Sequence, residues 1–274
     1  MREAPSKDKA NKFPHLIFIR FHRGIGEHRI KMKTFRFIGA AMLAAVMCVN
    51  FTSCSKDDDP VVEGGGDVVA GSKKLAKVVS EGETYTFSYD DEGRLTTASV
   101  VMINGENRDN YEYEFIWGDD VIRVKENSYN YTLTLNNGLV QNGDGKTFSY
   151  NKSNRFVKGT SEHNTTDVIW NGDKLVNIED IDYDGHHWEK ALTYGETCKK
   201  GYLPLIPLMI DFGCDILFMA HPEIAGMRTN QLPSTYKIED GTVSFTYAYD
   251  KDGYVSKMIF NEGGASMAYT FTWE

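Results

Sequence analysis

The feature that most constrains this chain is a recurring pair of short alternating runs, rich in Tyr, Phe, Thr and Val, separated by Asp or Asn and then Gly. Tyr85-Thr86-Phe87-Ser88-Tyr89 passes through Asp90-Asp91-Glu92-Gly93 into residues 94–100. Thr147-Phe148-Ser149-Tyr150 passes through residues 151–154 into 155–157, and Val168-Ile169-Trp170 through Asn171-Gly172-Asp173 into 174–178. Near the end, residues 243–249 pass through Asp250-Lys251-Asp252-Gly253 into 254–259, and weaker copies occupy 111–125 and 131–140. Alternation places one set of side chains on a buried face and the other in solvent. Asp or Asn followed by Gly tolerates the positive φ that tight hairpins demand.

Consecutive hairpins of this kind predict an all-β domain over residues 73–274. The expected architecture is an antiparallel meander of about 10–12 strands, curled into a half-barrel or barrel-like sheet. One segment departs from the rhythm: residues 203–219 are dense in large apolar side chains and poor in turn residues. Pro207 suits the first turn of a helix, so a short helical insertion near 203–225 is expected, plugging or covering the sheet. Residues 60–72, with Gly64-Gly65-Gly66 and Gly71, bury too little to fold and read as a linker.

Upstream, Lys33 and Arg36 precede an apolar run from Phe37 to Val49, then Thr52-Ser53-Cys54. A run of about a dozen residues suits a secretory signal and falls short of the roughly 20 needed to span a bilayer. Residues 32–53 are therefore read as a lipoprotein signal peptide. Cys54 is the expected lipidation site, residues 54–72 the tether, and residues 1–31 an upstream extension with Met32 as the true start. Several acyl chains on one cysteine make a durable membrane anchor, at about 0.8 kcal/mol per buried methylene. The whole chain has a net charge of −9, but residues 1–54 hold ten Lys/Arg and three Asp/Glu, so the mature part carries 20 basic against 36 acidic residues. Phosphate binding runs on Lys and Arg, which excludes nucleic acid as a partner.

Of the four cysteines, Cys198 and Cys214 remain after processing, in a compartment that permits a disulfide; two buried thiols are the alternative. Asp180-Ile181-Asp182-Tyr183-Asp184-Gly185 matches the first half of a calcium loop, making Asp180, Asp182 and Asp184 candidate calcium ligands. Ala191 stands where the loop's bidentate Glu belongs, and strands rather than helices flank it, so a plain hairpin tip is the competing reading. His186 and His187 are strand neighbours pointing to opposite faces, which disfavours zinc. No strained Gly-x-Ser-x-Gly elbow is present, and no catalytic residue is assigned.

The aromatic-x-Tyr-Asp-x-x-Gly pattern at 85–95 and 247–255 resembles the tyrosine–aspartate repeats of surface proteins. Together with Asn230-Gln231-Leu232-Pro233-Ser234, it resembles an uncharacterised lipoprotein family of Bacteroidetes-type bacteria, built on such a β-meander. In that group, a run like Lys56-Asp57-Asp58-Asp59 after the lipidated cysteine resembles the signal for export to the cell surface. The resemblance implies an outer-membrane lipoprotein, surface-exposed or, alternatively, facing the periplasm. Its expected role is structural or the binding of a glycan, peptide or protein, with Trp117, Trp170, Trp188 and Trp273 as stacking platforms. An extracellular hydrolase of polymers and a carrier of hydrophobic ligands in a curled-sheet cavity are the alternatives.

Overall fold

The computed structural model describes residues 72–210, 214–238 and 241–274. The upstream extension, the signal peptide, Cys54, residues 56–59 and nearly all of the tether lie outside the described residues. Sixteen strands follow one another. They are β1 (Leu75–Ser80), β2 (Glu83–Tyr89), β3 (Leu95–Asn104), β4 (Asn107–Trp117), β5 (Val121–Glu126) and β6 (Tyr129–Asn136). Next come β7 (Leu139–Gly143), β8 (Lys146–Tyr150), β9 (Phe156–Thr160), β10 (Asn164–Asn171), β11 (Lys174–Asp182) and β12 (His187–Thr197). Two short helices, α1 (Ile206–Ile210) and α2 (Asp215–Ala220), precede β13 (Gln231–Ile238), β14 (Gly241–Tyr249), β15 (Val255–Glu262) and β16 (Ala265–Trp273).

Each strand runs antiparallel to its neighbours in sequence, and β1 pairs with β16 through Val78 opposite Phe271 and Val79 opposite Thr270, closing a barrel. The expected all-β antiparallel architecture is present, while the half-barrel or barrel-like meander of 10–12 strands is corrected to a closed barrel of sixteen. Strands β7, β8 and β9 have five residues each, too few for a clear alternation. In β12 and β13, His187, Glu189, Lys190 and Pro233 hide the pattern. Closure satisfies the backbone groups that two edge strands would otherwise expose.

The wall is apolar inside and polar outside. Val78, Phe87, Ile122, Leu133, Phe148, Ile178, Phe245 and Phe271 are buried on the inner face. Outward pairs are Thr86–Ser99, Glu114–Lys125, Lys158–Asp167, Thr193–Thr235 and Lys257–Thr270. The large aliphatic side chains exposed among the described residues are Ile103, Ile116, Ile169 and Ile181, on four different strands. The predicted helical insertion is present and lies within the wall. Met209, Ile216, Leu217, Phe218 and Met219 are buried, and Phe218 meets the inward Phe148 edge-on at 5.8 Å.

The chain entering and leaving these helices closes one end of the barrel. Leu95 N donates to His221 Nε2 at 3.0 Å, Val140 N to Ile224 O at 2.9 Å and Phe156 N to Gly226 O at 3.1 Å. Thus residues 221–226 satisfy amides in the first two residues of β3, β7 and β9 in turn. The carbonyls of the same three residues are met by aromatics near the ends of the paired strands. Trp117 Nε1 donates to Leu95 O at 2.7 Å, Tyr150 Oη to Val140 O at 2.5 Å and Trp170 Nε1 to Phe156 O at 2.6 Å. Tyr89, Tyr194, Tyr247 and Trp273 make equivalent bonds to Leu75, Leu175, Pro233 and Val255. Three of the four tryptophans expected to be stacking platforms are therefore clamps at the plugged end. Trp188, on the inner face of β12 at the other end, remains 36% exposed.

Candidate functional site: the open mouth of the barrel

The hairpin turns opposite the plug surround a mouth that Cys214 and Asp215, at the start of α2, reach from inside the barrel. Its lining follows from the register. Met102 faces Asp109, Val100 faces Tyr111, Ala98 faces Tyr113, Tyr113 faces Glu126 and Glu126 faces Tyr129, all on the inner side. Inward exposure falls with depth along β6: Tyr129 is 43% exposed, Tyr131 half-buried and Leu133 fully buried. Aliphatic residues thus fill the plugged half, and tyrosines with charged groups line the mouth.

Hydroxyls and carboxylates pair there. Tyr85 Oη donates to Glu83 Oε2 at 2.8 Å, Tyr113 Oη to Glu126 Oε1 at 3.1 Å and Tyr129 Oη to Asp144 Oδ1 at 2.6 Å. Across the mouth, Asp180 accepts from Thr166 Oγ1 at 2.6 Å and lies 2.5 Å from Lys190 Nζ. The first residue of α2, Asp215, adds its field to Tyr85 and Tyr113. Burial, then Glu83, push the Tyr85 hydroxyl far up; burial, then Glu126, do the same to Tyr113. Burial also raises the Glu126 carboxyl above its ordinary value. Carboxylates partly removed from water, among electron-rich rings, favour an incoming cation or a ligand rich in hydrogen-bond donors.

None of these residues was singled out from sequence. The signal that could have found them is an alternation in which the buried set changes character along a strand, as in Tyr111-x-Tyr113-x-Phe115 and Tyr129-x-Tyr131-x-Leu133. The candidate calcium ligands are divided by the fold. Asp180 turns inward to Lys190, while ligand atoms of Asp182, Asp184 and His186 lie within 4.8 Å of one another. Asp182 Oδ1 accepts the amides of Asp184 and His186, at 3.0 and 2.9 Å, and its Oδ2 lies 3.0 Å from His186 Nδ1, which raises the pKa of that ring. The same turn recurs at Asp90, Asn151 and Asp250, each bridging the amides two and four residues on. Because Asn151 performs this task without a charge, Asp182→Asn is expected to keep the turn and change stability by about 0.5 kcal/mol or less, read by thermal melting.

Cys198 and Cys214 are both free thiols. Burial pushes each up to about 12, and Tyr131 hydrogen-bonds to Cys214 inside the mouth. A second concavity, of about 270 Å³, lies beside Gly195, Glu196, Leu232, Pro233 and Phe245, where Glu196 already accepts from Tyr249 at 2.8 Å.

No family model matches the chain, and no curated protein matches it. Among solved structures, a porin-like protein from Bacteroides uniformis ATCC 8492 has a similar fold, with a TM-score of 0.57 and 18% identity, over 74% of this chain and 95% of that one. A porin-like protein from Bacteroides vulgatus ATCC 8482 matches with a TM-score of 0.30 and 13% identity, over 69% of this chain and 78% of that one. The sequence resemblance to an uncharacterised lipoprotein family with a tyrosine–aspartate-repeat-like meander is corrected by the barrel closure and the Bacteroides uniformis match. The repeated Tyr-Asp and Trp-Asn steps are the clamps and turns at one end of a closed barrel, and the fold this chain shares is that of the Bacteroides uniformis structure.

Proposed function

We propose that this chain is a lipid-anchored β-barrel held in water at the outer membrane, where it binds a ligand through its open mouth and catalyses no reaction. The polarity of the wall carries this reading. A barrel that spans a membrane presents an apolar band to lipid and a polar lumen to water. Here the outer face is mostly Thr, Ser, Lys, Glu and Asn, with Ile103, Ile116, Ile169 and Ile181 as its exposed large aliphatic residues among those described, and the inner face is an apolar core filled by α1 and α2. Such a wall needs a separate anchor, which the Cys54 signal supplies. Residues 56–59 support display on the cell surface.

Lys74 exchanges hydrogen bonds with Glu274 beside the start of β1, at the plugged end, so a tether arriving from Cys54 joins there. Nineteen residues, 54–72, reach at most ~65 Å when fully extended.

Full-length Cys54→Ser protein is expected to move from the membrane to the soluble fraction and to melt cooperatively without detergent. Retention in the membrane after alkaline washing, or aggregation whenever detergent is withdrawn, would instead assign a spanning barrel.

A further inference from the structure

A cavity lies in the barrel wall near the plugged end, where β12, β13 and β14 run side by side. It holds about 270 Å³, and Gly195, Glu196, Leu232, Ser234, Phe245 and Tyr247 line it. We infer that this cavity is a second binding site, which takes one pyranose unit of a neutral saccharide. The inference stands on this segment of wall alone and does not depend on the mouth.

The ladder between β12 and β13 is interrupted there over two consecutive steps. Thr193 pairs with Thr235, Tyr194 with Pro233 and Glu196 with Leu232, so the register passes over both Ser234 and Gly195. Pro233 cannot donate to the ladder, and bulges of this kind re-aim side chains beside binding sites. Both residues that the register passes over line the cavity. Gly195 points independently to an occupant. Its φ lies outside the left-handed region, and an added Cβ would meet only the Ser234 Cβ, at an ordinary 3.4 Å. A glycine inside a strand costs stability, and here neither backbone conformation nor packing demands one. What the missing side chain preserves is close approach to the cavity rim.

The lining sets the chemistry of the ligand. Leu232 and Phe245 are buried and Tyr247 is half-buried, which gives the cavity an apolar floor. At the rim, Tyr249 Oη donates to Glu196 Oε2 at 2.8 Å, orienting the carboxylate and leaving Oε1 to accept from a ligand. Ser234 Oγ and Thr193 Oγ1 lie 2.8 Å apart, and the serine hydroxyl has capacity for a further bond. Lys199 Nζ lies over the ring of Tyr249, 4.9 Å from its centroid. One carboxylate and one ammonium on the same tyrosine favour neither an anion nor a cation. A pyranose matches this set, with C–H faces for the floor and hydroxyls that donate to Glu196 and bond to Ser234. The volume of about 270 Å³ falls just below the range for drug-sized ligands, which suits a single ring.

The test is titration calorimetry of full-length Cys54→Ser protein with the methyl glycosides of glucose, galactose, mannose, xylose and N-acetylglucosamine. Saturable binding of at least one is expected, with a Kd of about 1 mM. Raising salt from about 50 to about 500 mM should leave that affinity unchanged, because the ligand carries no charge to screen. Gly195→Val, which sets two methyl groups at the cavity rim, is expected to weaken binding at least about tenfold. Should Gly195→Val misfold, Glu196→Gln is the companion variant, because Gln is a neutral isostere of that exposed side chain and still accepts from Tyr249. It is expected to weaken binding about fivefold. Glu114→Gln, on the outer face of β4, is expected to leave affinity unchanged. Absence of saturable binding by all five glycosides, full affinity in Gly195→Val or Glu196→Gln, or an equal loss in Glu114→Gln would overturn the inference. Tighter binding of butylammonium or butyrate than of every glycoside would overturn it too, because the cavity would then select charge.

Discussion

Gly226→Ala is expected to lower stability by about 2–5 kcal/mol, the sum of a left-handed backbone forced on a Cβ-bearing residue and an overpacked contact. Gly226 has φ +63°, and an added Cβ would fall against Asn154 O, 2.8 Å from Phe156 N and 2.9 Å from the ring of Tyr150. Two of those atoms are backbone and cannot swing away. The clash strikes where the plug is sewn to the wall, since Gly226 O accepts from Phe156 N, and Tyr150 clamps the start of β7. Gly138, with φ +76° and nothing within 4 Å of the place an added methyl would occupy, isolates the backbone part of the cost. Gly138→Ala is expected to cost about 1–2 kcal/mol. At about 2–4 °C per kcal/mol for a domain of this size, the two melting temperatures separate clearly. Equal losses in both variants would show that the 221–226 strip is not held by close packing against β9.

The same end of the barrel shows what the sequence could reveal. The turns at Asp90, Asn151 and Asp250 are local events, fixed by one side-chain oxygen and two amides within four residues. Their Asp/Asn-x-x-Gly signature was therefore legible. So was the helical insertion, because Pro207 and an unbroken apolar run conflict with a solvent-facing strand. Closure was not legible: β1 and β16 meet across almost the whole domain, and an alternating strand reads the same at an edge or inside a closed sheet. The mouth was hidden for a related reason. Glu83, Asp180 and Lys190 occupy inward positions, where alternation alone predicts apolar residues, and only the register brings Asp180 to Lys190 and Glu126 to Tyr113. Asp180-x-Asp182-x-Asp184 appeared as one acidic group because sequence spacing does not show that the strand ends at Asp182, so that Asp180 stays with the wall while Asp184 leaves with the turn.

His221→Ala is expected to release the plug from the wall at a cost of about 2–4 kcal/mol, because it orphans a buried amide and removes the donor to a largely buried carboxylate. The hydrogen bonds define the ring: Nε2 accepts from Leu95 N at 3.0 Å, so Nδ1 carries the proton and donates to Glu223 Oε1 at 2.8 Å. The edges of Tyr89 and Trp117 pack against it, at 5.9 and 5.4 Å between centroids. Gln at 221 offers an amide oxygen toward Leu95 N and is expected to recover part of the loss. Burial alone would raise the Glu223 carboxyl, but the His221 hydrogen bond, a backbone amide and the charge of Arg228 outweigh it and hold the pKa below the ordinary value. A carboxylate depressed in the folded state contributes stability that is fully present above its unfolded pKa, about 4.3, and that is lost as pH falls through the folded value. Melting curves from pH 7 to pH 3 should therefore steepen below about pH 4.3 for the parent protein. In Glu223→Gln that component should be missing, with the outer carboxylates accounting for whatever slope remains. If the parent and Glu223→Gln lose stability in parallel through that range, Glu223 is not the acid-sensitive tie, and the latch rests on the Leu95–His221 bond and ring packing alone.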